Sequence, residues 1–282
     1  MTDSPTPKVA AIHDLSGYGR CSLTVAMPIL SVMAIQCCPV ATASLSTHTG
    51  AGFEGFSFLD MTSELGKITR HWASLELYFD AIYSGFLGSE QQIVLVSEMI
   101  DTFQSPLVVI DPVMGDHGQV YKTYTPAMCE GMVALAKKAH VITPNLTEAA
   151  LLLGREYTSM PQDVAGLETI VAELSLDGKR SVVLTGVSAQ EGQTGALSFD
   201  AKTGALSLCQ APQVARILHG TGDVFASVLT GGLVQGNSLL DVTTQAVEFV
   251  SLCAQRTHRQ NLSPQAGVDF EPLLRHLLPE IN

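Results

Sequence analysis

The chain has 282 residues, 46% hydrophobic and only 15% charged, enough to bury a sizeable core and too apolar for disorder. Its formal net charge of −12 argues against nucleic acid and anionic membrane surfaces as partners. Any phosphate it handles must meet local positive groups: backbone amides, a metal ion, or a few Lys and Arg.

The start, MTDSPTPK, is polar and lacks an apolar signal core, so a soluble, cytoplasmic protein is expected. A strand-like run at 8–12 (KVAAI) leads into IHDLSGYGRC (12–21), where small polar residues gather with glycines. A helix-like segment follows at 22–35 and a strand at 39–45 (PVATASL). The uncharged stretch 25–45 could span a bilayer by length. Pro28, Ser31, Gln36 and Pro39 interrupt it, so it reads as a buried helix followed by a buried strand. After that strand, STHTGAG (46–52) is again small, polar and glycine-bearing. Together with Asp14 and Ser16, His48 could help line a pocket for a small polar substrate, although a lone histidine is more often structural.

Further along, helix-like segments at 55–70, 89–103, 125–138, 146–154 and 163–176 alternate with strands at 81–85, 107–111, 140–143 and 181–185. This alternation predicts a largely parallel sheet with helices on both faces. The stretch 194–211 departs from it and reads as an antiparallel edge hairpin around a turn at 201–204. Helical segments near 222–234, 238–259 and 269–278 close the chain. No repeat or linker divides it, so residues 1–282 are expected to form one domain. The six cysteines include no C-x-x-C pair and read as reduced thiols.

Ligands of open α/β sheets bind beyond the carboxyl ends of the strands, and the informative residues cluster there. In LVVIDPVMGDHGQVY (107–121), Asp111 ends a strand and Asp116 follows in a glycine-rich loop, a pair of oxygen donors suited to Mg²⁺. An ordinary turn with solvated acids fits that segment equally well. In VITPNLTEAALLLG (141–154), Asn145 and Glu148 have capping-box spacing, and Glu148 could alternatively serve Mg²⁺. Thr185 and Gly186 follow the next strand, where they could meet nucleotide phosphates. Finally, HGTGDVF (219–225) sets Gly220 and Gly222 around Thr221 at a helix start. Their amides would suit a transferring phosphoryl group, and Asp223 would accept the proton of an attacking hydroxyl. Read locally, the same residues also fit a tight turn with Asp223 as N-cap.

GTGD opening a helix, DPVMGD after a central strand and TPN-x-x-E after the next resemble the ribokinase superfamily. Within it, STHTG (46–50), YSGFLGS (83–89) and DPVMGDHGQVY are similar to pyridoxal kinases, the vitamin B6 kinases, over about residues 8–260. The resemblance implies a ribokinase-like three-layer α/β/α sandwich and a homodimer acting on MgATP and a B6 vitamer, often with a monovalent cation such as K⁺. It implies that Asp223 is the base for the 5′-hydroxymethyl group and that Gly220, Thr221 and Gly222 form the anion hole. Asp111, Asp116 and Glu148 match acidic positions near the phosphates and Mg²⁺. Thr143, Asn145, Thr185 and Thr221 match positions near the ATP phosphates, and Thr49 and Phe86 match positions near the pyridine ring. The first strand of many pyridoxal kinases ends in Ser-His, whereas Asp14 stands at the matching place here. An Asp-x-Ser-Gly segment there is similar to hydroxymethylpyrimidine kinases, so that activity, alone or beside B6 phosphorylation, is the alternative. Sugar kinases carry an extra lid of strands for which 13–80 supplies too little strand-like sequence. A non-catalytic ATP-binding relative would be expected to lack the base.

Overall fold

The structure is a computed structural model that describes residues 5–49, 52–216 and 218–279. In chain order the elements are β1 (Lys8–Ser16), α1 (Leu23–Val32), β2 (Gln36–Leu45), β3 (Phe58–Asp60), α2 (Thr62–Ser74), β4 (Ala81–Ser84), α3 (Glu90–Phe103), β5 (Leu107–Ile110), β6 (Gly115–Asp116) and β7 (Gln119–Val120). They continue as α4 (Pro126–Ala136), β8 (Val141–Ile142), α5 (Leu146–Leu153), α6 (Val164–Leu174), β9 (Ser181–Val187), β10 (Gln193–Phe199), β11 (Leu206–Pro212), α7 (Thr221–Val234) and α8 (Leu239–Arg259).

One nine-stranded sheet runs β11-β10-β9-β8-β5-β4-β1-β2-β3, and β6 pairs with β7 in a separate small hairpin. The six strands from β9 to β2 are parallel. β10 and β11 add an antiparallel hairpin at one edge, and β3 runs antiparallel at the other. The parallel strands are apolar on both faces because helices cover both. Along β1, Ala10 and Ile12 face the core under α2 to α6, while Val9 and Ala11 face the core under α1, α7 and α8. In β9, Val182 and Leu184 take the first face and Val183 the second. The expected parallel sheet, its two helical layers and the edge hairpin are therefore all present.

Three expected boundaries differ. The helix expected at 55–70 starts only at Thr62. Before it, Phe58, Leu59 and Asp60 pair with Leu45, Ser44 and Ala43 of β2, and Asp60 Oδ1 accepts the Thr62 N–H at 2.7 Å, turning the chain into α2. β1 runs on to Ser16, which puts Asp14 and Ser16 within the strand. The closing segment expected at 269–278 is a 3-10 helix at Glu271–Leu277, with Pro272 in its first turn.

The chain leaves β1 for α1 on one face and leaves the adjacent β4 for α3 on the other. Those diverging connections mark a switch point, and the crevice beyond it is where such a sheet can take a ligand.

Candidate active site

α7 opens on Gly220, held at φ 82, and no side chain caps its first turn. A Cβ on Gly220 would lie 2.1 Å from the Arg20 carbonyl oxygen, so torsion and packing both demand glycine there. Gly222 is different: a Cβ on it would meet no atom within 4 Å. The fold does not need glycine at 222, and its absence of a side chain leaves the helix amides open to close approach. With Thr221 as the first helical residue, this start presents the positive end of the helix dipole to open space. Asp223 is the third residue of α7, so the plain N-cap reading fails.

Asp223 keeps some exposed surface, but its carboxyl sits low enough that burial pushes its pKa up to about 8. The charge of Asp111 adds to that rise, the nearby Ser22 backbone N–H opposes it, and Asp14 adds a smaller push. A carboxyl that titrates not far from neutral pH is the result.

Asp111 follows β5, buried, and accepts a hydrogen bond from Thr143 Oγ1 at 3.1 Å. Glu148, also buried, accepts the Asn145 N–H at 2.8 Å and the Met114 N–H at 3.2 Å. The Glu148 N–H in turn donates to Asn145 Oδ1 at 3.0 Å, completing a capping box at α5. Asn145 Nδ2 donates to the Gly115 carbonyl at 2.9 Å and so ties α5 to the β6–β7 hairpin. Burial raises the pKa of both acids, and the charge of Asp111 raises Glu148 further. The cap and the functional reading of Glu148 are therefore compatible. Asp116 is half-exposed on β6 beside His117 at 3.5 Å, and its charge adds a smaller push to Glu148. Among the described residues no three His, Cys, Asp or Glu side chains form a ready-made metal cage. Two buried, mutually repelling carboxylates nevertheless fit Mg²⁺, which keeps several waters and needs few protein ligands.

At the other end of the crevice, Asp14 is buried and accepts Ser16 Oγ at 2.6 Å and Ser22 Oγ at 2.5 Å. Burial raises its pKa while the two hydroxyls and His48 pull it down. The β1–β2 register shifts between His13 and Leu15, beside Asp14. His48 sits edge-on to Phe53 and tilted against His219, each at 4.8 Å between ring centroids, and its Nε2 lies 3.3 Å from the Gln265 carbonyl. Phe86 is half-buried with Tyr124 edge-on at 6.2 Å. Thr49 is exposed, and Gly50 and Ala51 of the STHTGAG run lie outside the described residues. His13 is wholly buried edge-on to Tyr83 at 4.3 Å and burial lowers its pKa to about 3, so it stays neutral in the core. Thr185 and Gly186 line a cavity of about 100 Å³ with Leu146, Gln162 and Ser188, farther along the same sheet edge.

A family model described as phosphomethylpyrimidine kinase matches residues 43–268. The chain belongs to that family. It is 34% identical over 254 residues to the pyridoxine/pyridoxal/pyridoxamine kinase of Bordetella avium, covering 82% of this chain and 79% of that one. A solved protein from Bacteroides thetaiotaomicron, crystallised with pyridoxal, superposes with a TM-score of 0.91 at 40% identity, covering 98% of this chain and 97% of that one. The pyridoxal kinase of Lactobacillus plantarum superposes with a TM-score of 0.90 at 31% identity, over 97% of both chains. This phosphomethylpyrimidine kinase family member thus has the ribokinase-like pyridoxal kinase fold along almost its whole length.

Two site residues escape the sequence reading. Tyr83 is fully buried on β4, close enough for Asp111 and Asp223 to raise its phenol further than burial does. Ser22 precedes α1 and would read from sequence as its N-cap, yet its side chain does not cap the helix. Only the three-dimensional meeting of β1, α1 and α7 reveals that its hydroxyl goes to Asp14.

Proposed function

We propose that the protein is an ATP-dependent kinase that phosphorylates the 5′-hydroxymethyl group of B6 vitamers. The observation that carries this reading is the uncapped start of α7, with open space at Gly222 and Asp223 on the same turn at a pKa of about 8. Phosphoryl transfer asks for that combination, anion-binding amides beside a proton acceptor. The pyridoxal-bound protein at 40% identity supports a B6 vitamer as acceptor.

In this reading ATP lies along the carboxyl edge of the sheet, with Thr185 and Gly186 on its path and Thr143, Asn145 and Thr221 beside the phosphates. Asp111 and Glu148 are the residues that would hold Mg²⁺, with Asp116 contributing charge at longer range. When bound, the cation neutralises charge on the phosphates and relieves the repulsion between those acids. Asp14, Ser16, His48, Thr49 and Phe86 surround the acceptor ring, and a carboxylate at 14 favours a protonated ring nitrogen. The acceptor hydroxyl gives its proton to Asp223 and its oxygen bonds to the γ-phosphorus as the bond to the ADP oxygen breaks. The amides of Gly220, Thr221 and Gly222 take up the developing charge.

The family's description and the Asp14-x-Ser16-Gly17 segment favour a second reading, phosphorylation of hydroxymethylpyrimidine. An ADP-release assay with MgATP separates the two by offering pyridoxal, pyridoxamine, pyridoxine and hydroxymethylpyrimidine side by side. The B6 vitamers are expected to turn over best, and hydroxymethylpyrimidine ahead by about tenfold or more would reverse the substrate assignment. In the same assay Asp223→Asn is expected to lose about 10²–10⁴ in kcat with the ATP KM little changed. Near wild-type turnover by that variant defeats the mechanism.

A further inference from the structure

Ser22 occupies a backbone conformation that favours glycine, φ 53 and ψ −129, and it is buried. Its polar groups reach toward three elements. The N–H faces Asp223 closely enough to oppose the rise in that carboxyl's pKa. The hydroxyl donates to Asp14 Oδ1 at 2.5 Å. Its carbonyl accepts the N–H groups of Val25 and Ala26 at 3.0 and 2.9 Å, starting α1. One residue thereby joins β1, α1 and α7 at their meeting point.

A strained torsion persists only where the surroundings over-determine it. The loop before Ser22 is held in that way. Arg20, itself at φ 39, reaches across to the C-terminal segment, donating from Nε to Glu271 at 2.8 Å and from Nη2 to Asp269 at 3.0 Å. Asp269 is fixed from its other side by Arg256 Nε at 2.6 Å and by its own N–H to Thr257 Oγ1 at 2.8 Å. The Arg20 carbonyl packs against Gly220, the residue that opens α7. The strain at Ser22 therefore sits in a braced frame between the two ends of the crevice.

We infer that Ser22 is a positioning residue for phosphoryl transfer, a crossbar that fixes the proposed base Asp223 relative to Asp14, the carboxylate beside the acceptor ring. This rests on the kinase reading above and adds to it: the ring-recognising group and the proton acceptor form one rigid unit, so acceptor choice and turnover are coupled through Ser22. An acceptor seated against Asp14 then has its hydroxyl at a set distance from Asp223. Without the crossbar the ring can still bind, but its hydroxyl loses alignment.

The test compares Ser22→Gly, Ser22→Ala, Asp14→Asn and the Ser22→Gly/Asp14→Asn double variant in steady-state kinetics with MgATP and each B6 vitamer. Glycine accepts the torsion without strain, so Ser22→Gly keeps the backbone and removes the hydroxyl. Ser22→Ala keeps the strain but loses the bond that restrains it, and its loss should be larger. Ser22→Gly is expected to lower kcat for pyridoxal about tenfold, the scale of one hydrogen bond to a charged group, with the ATP KM within about twofold of wild type. On the Asp14→Asn background the same substitution should change kcat by less than about threefold, because the two act as a unit. The ratio of kcat/KM between pyridoxal and pyridoxamine should narrow in Ser22→Gly and in Asp14→Asn alike. Wild-type kcat in Ser22→Gly, or equal losses with and without Asp14, overturns the crossbar. Ser22→Gly decides alone if Ser22→Ala does not fold. A wild-type enzyme inactive on every B6 vitamer sinks the kinase reading instead, whereas an active one indifferent to Ser22→Gly sinks only this inference.

Discussion

Gly220 and Gly222 stand two residues apart and are glycine for different reasons, which makes them separable by mutation. At Gly220 the left-handed torsion and the Arg20 carbonyl 2.1 Å from a would-be Cβ exclude any side chain. At Gly222 the surroundings are open, and alanine is the better helix former by about 1 kcal/mol in a helix interior. Gly222→Ala is therefore expected to fold with an unchanged or slightly raised Tm and, if the proposed mechanism holds, to lose activity, since its methyl group would stand where that mechanism brings a phosphoryl oxygen to the amides. Gly220→Ala is expected to lower Tm. Thermal melts beside the ADP-release assay check both, and a fully active Gly222→Ala removes the anion hole from the mechanism. The sequence motif makes the two glycines look equivalent. Only their neighbours distinguish a glycine needed for folding from one left free to serve a ligand.

Among the elements, α5 carries one side chain that caps the helix and also feels the charge of a neighbouring acid. Glu148 closes the capping box with Asn145 and sits within the electrostatic reach of Asp111. Glutamine preserves the geometry of a capping box while removing the charge. Glu148→Gln should therefore keep Tm at or above the wild-type value near pH 8, yet lower kcat and weaken the dependence on Mg²⁺. Asn145→Ala, which breaks the cap itself, should instead lower stability by about 1 kcal/mol. If Glu148→Gln matched the wild type in its Mg²⁺ dependence, Glu148 would be left with the cap alone.

The same scale shows what could be read without coordinates. The parallel strands were legible because they are short apolar runs buried on both faces, and the β10–β11 hairpin was legible from its turn around Gly204 at φ 73. β3 was not. Its three exposed residues carry no alternation, and they become a strand only because β2 offers an open edge at Ala43, Ser44 and Leu45. The site divides likewise: Asp111, Asn145, Glu148 and Asp223 announce themselves by following strands or opening helices. Ser22, Tyr83 and the Arg20–Asp269–Arg256 brace do not, because no local pattern marks them, and the Arg20–Glu271 pair closes across 251 residues.

For the whole molecule, charge links function to stability. The protein carries a formal charge of −12 and buries or half-buries several carboxylates around one crevice, of which Asp111, Glu148 and Asp223 all have raised pKa values. For Asp223 the folded value is about 8 against an ordinary 3.8. Between those values the folded state binds more protons than the unfolded one, so stability falls as pH rises through the window. The histidines oppose this at lower pH: His13, His48, His140 and His219 all have lowered values, so their burial favours folding progressively as pH rises toward 6.5. Above about 6.5 the histidine contribution is complete and the carboxylates act alone. The Tm of the protein without nucleotide or metal is therefore expected to decline from about pH 6.5 to 8. Asp111→Asn should make that decline shallower and raise Tm at pH 8, at about 2–4 °C for each kcal/mol of repulsion removed. The same variant should lose kinase activity. Adding Mg²⁺ with ATP should stabilise the wild type more than Asp111→Asn, since the cation has fewer charges to neutralise in the variant. A wild-type Tm that climbs through this pH range, or an Asp111→Asn profile as steep as the wild type, would show that these acids are not held against their own charge. The expected trade, stability given up at the crevice for a site that takes a cation, follows from packing three acids where no lysine or arginine is paired with them among the described ion pairs.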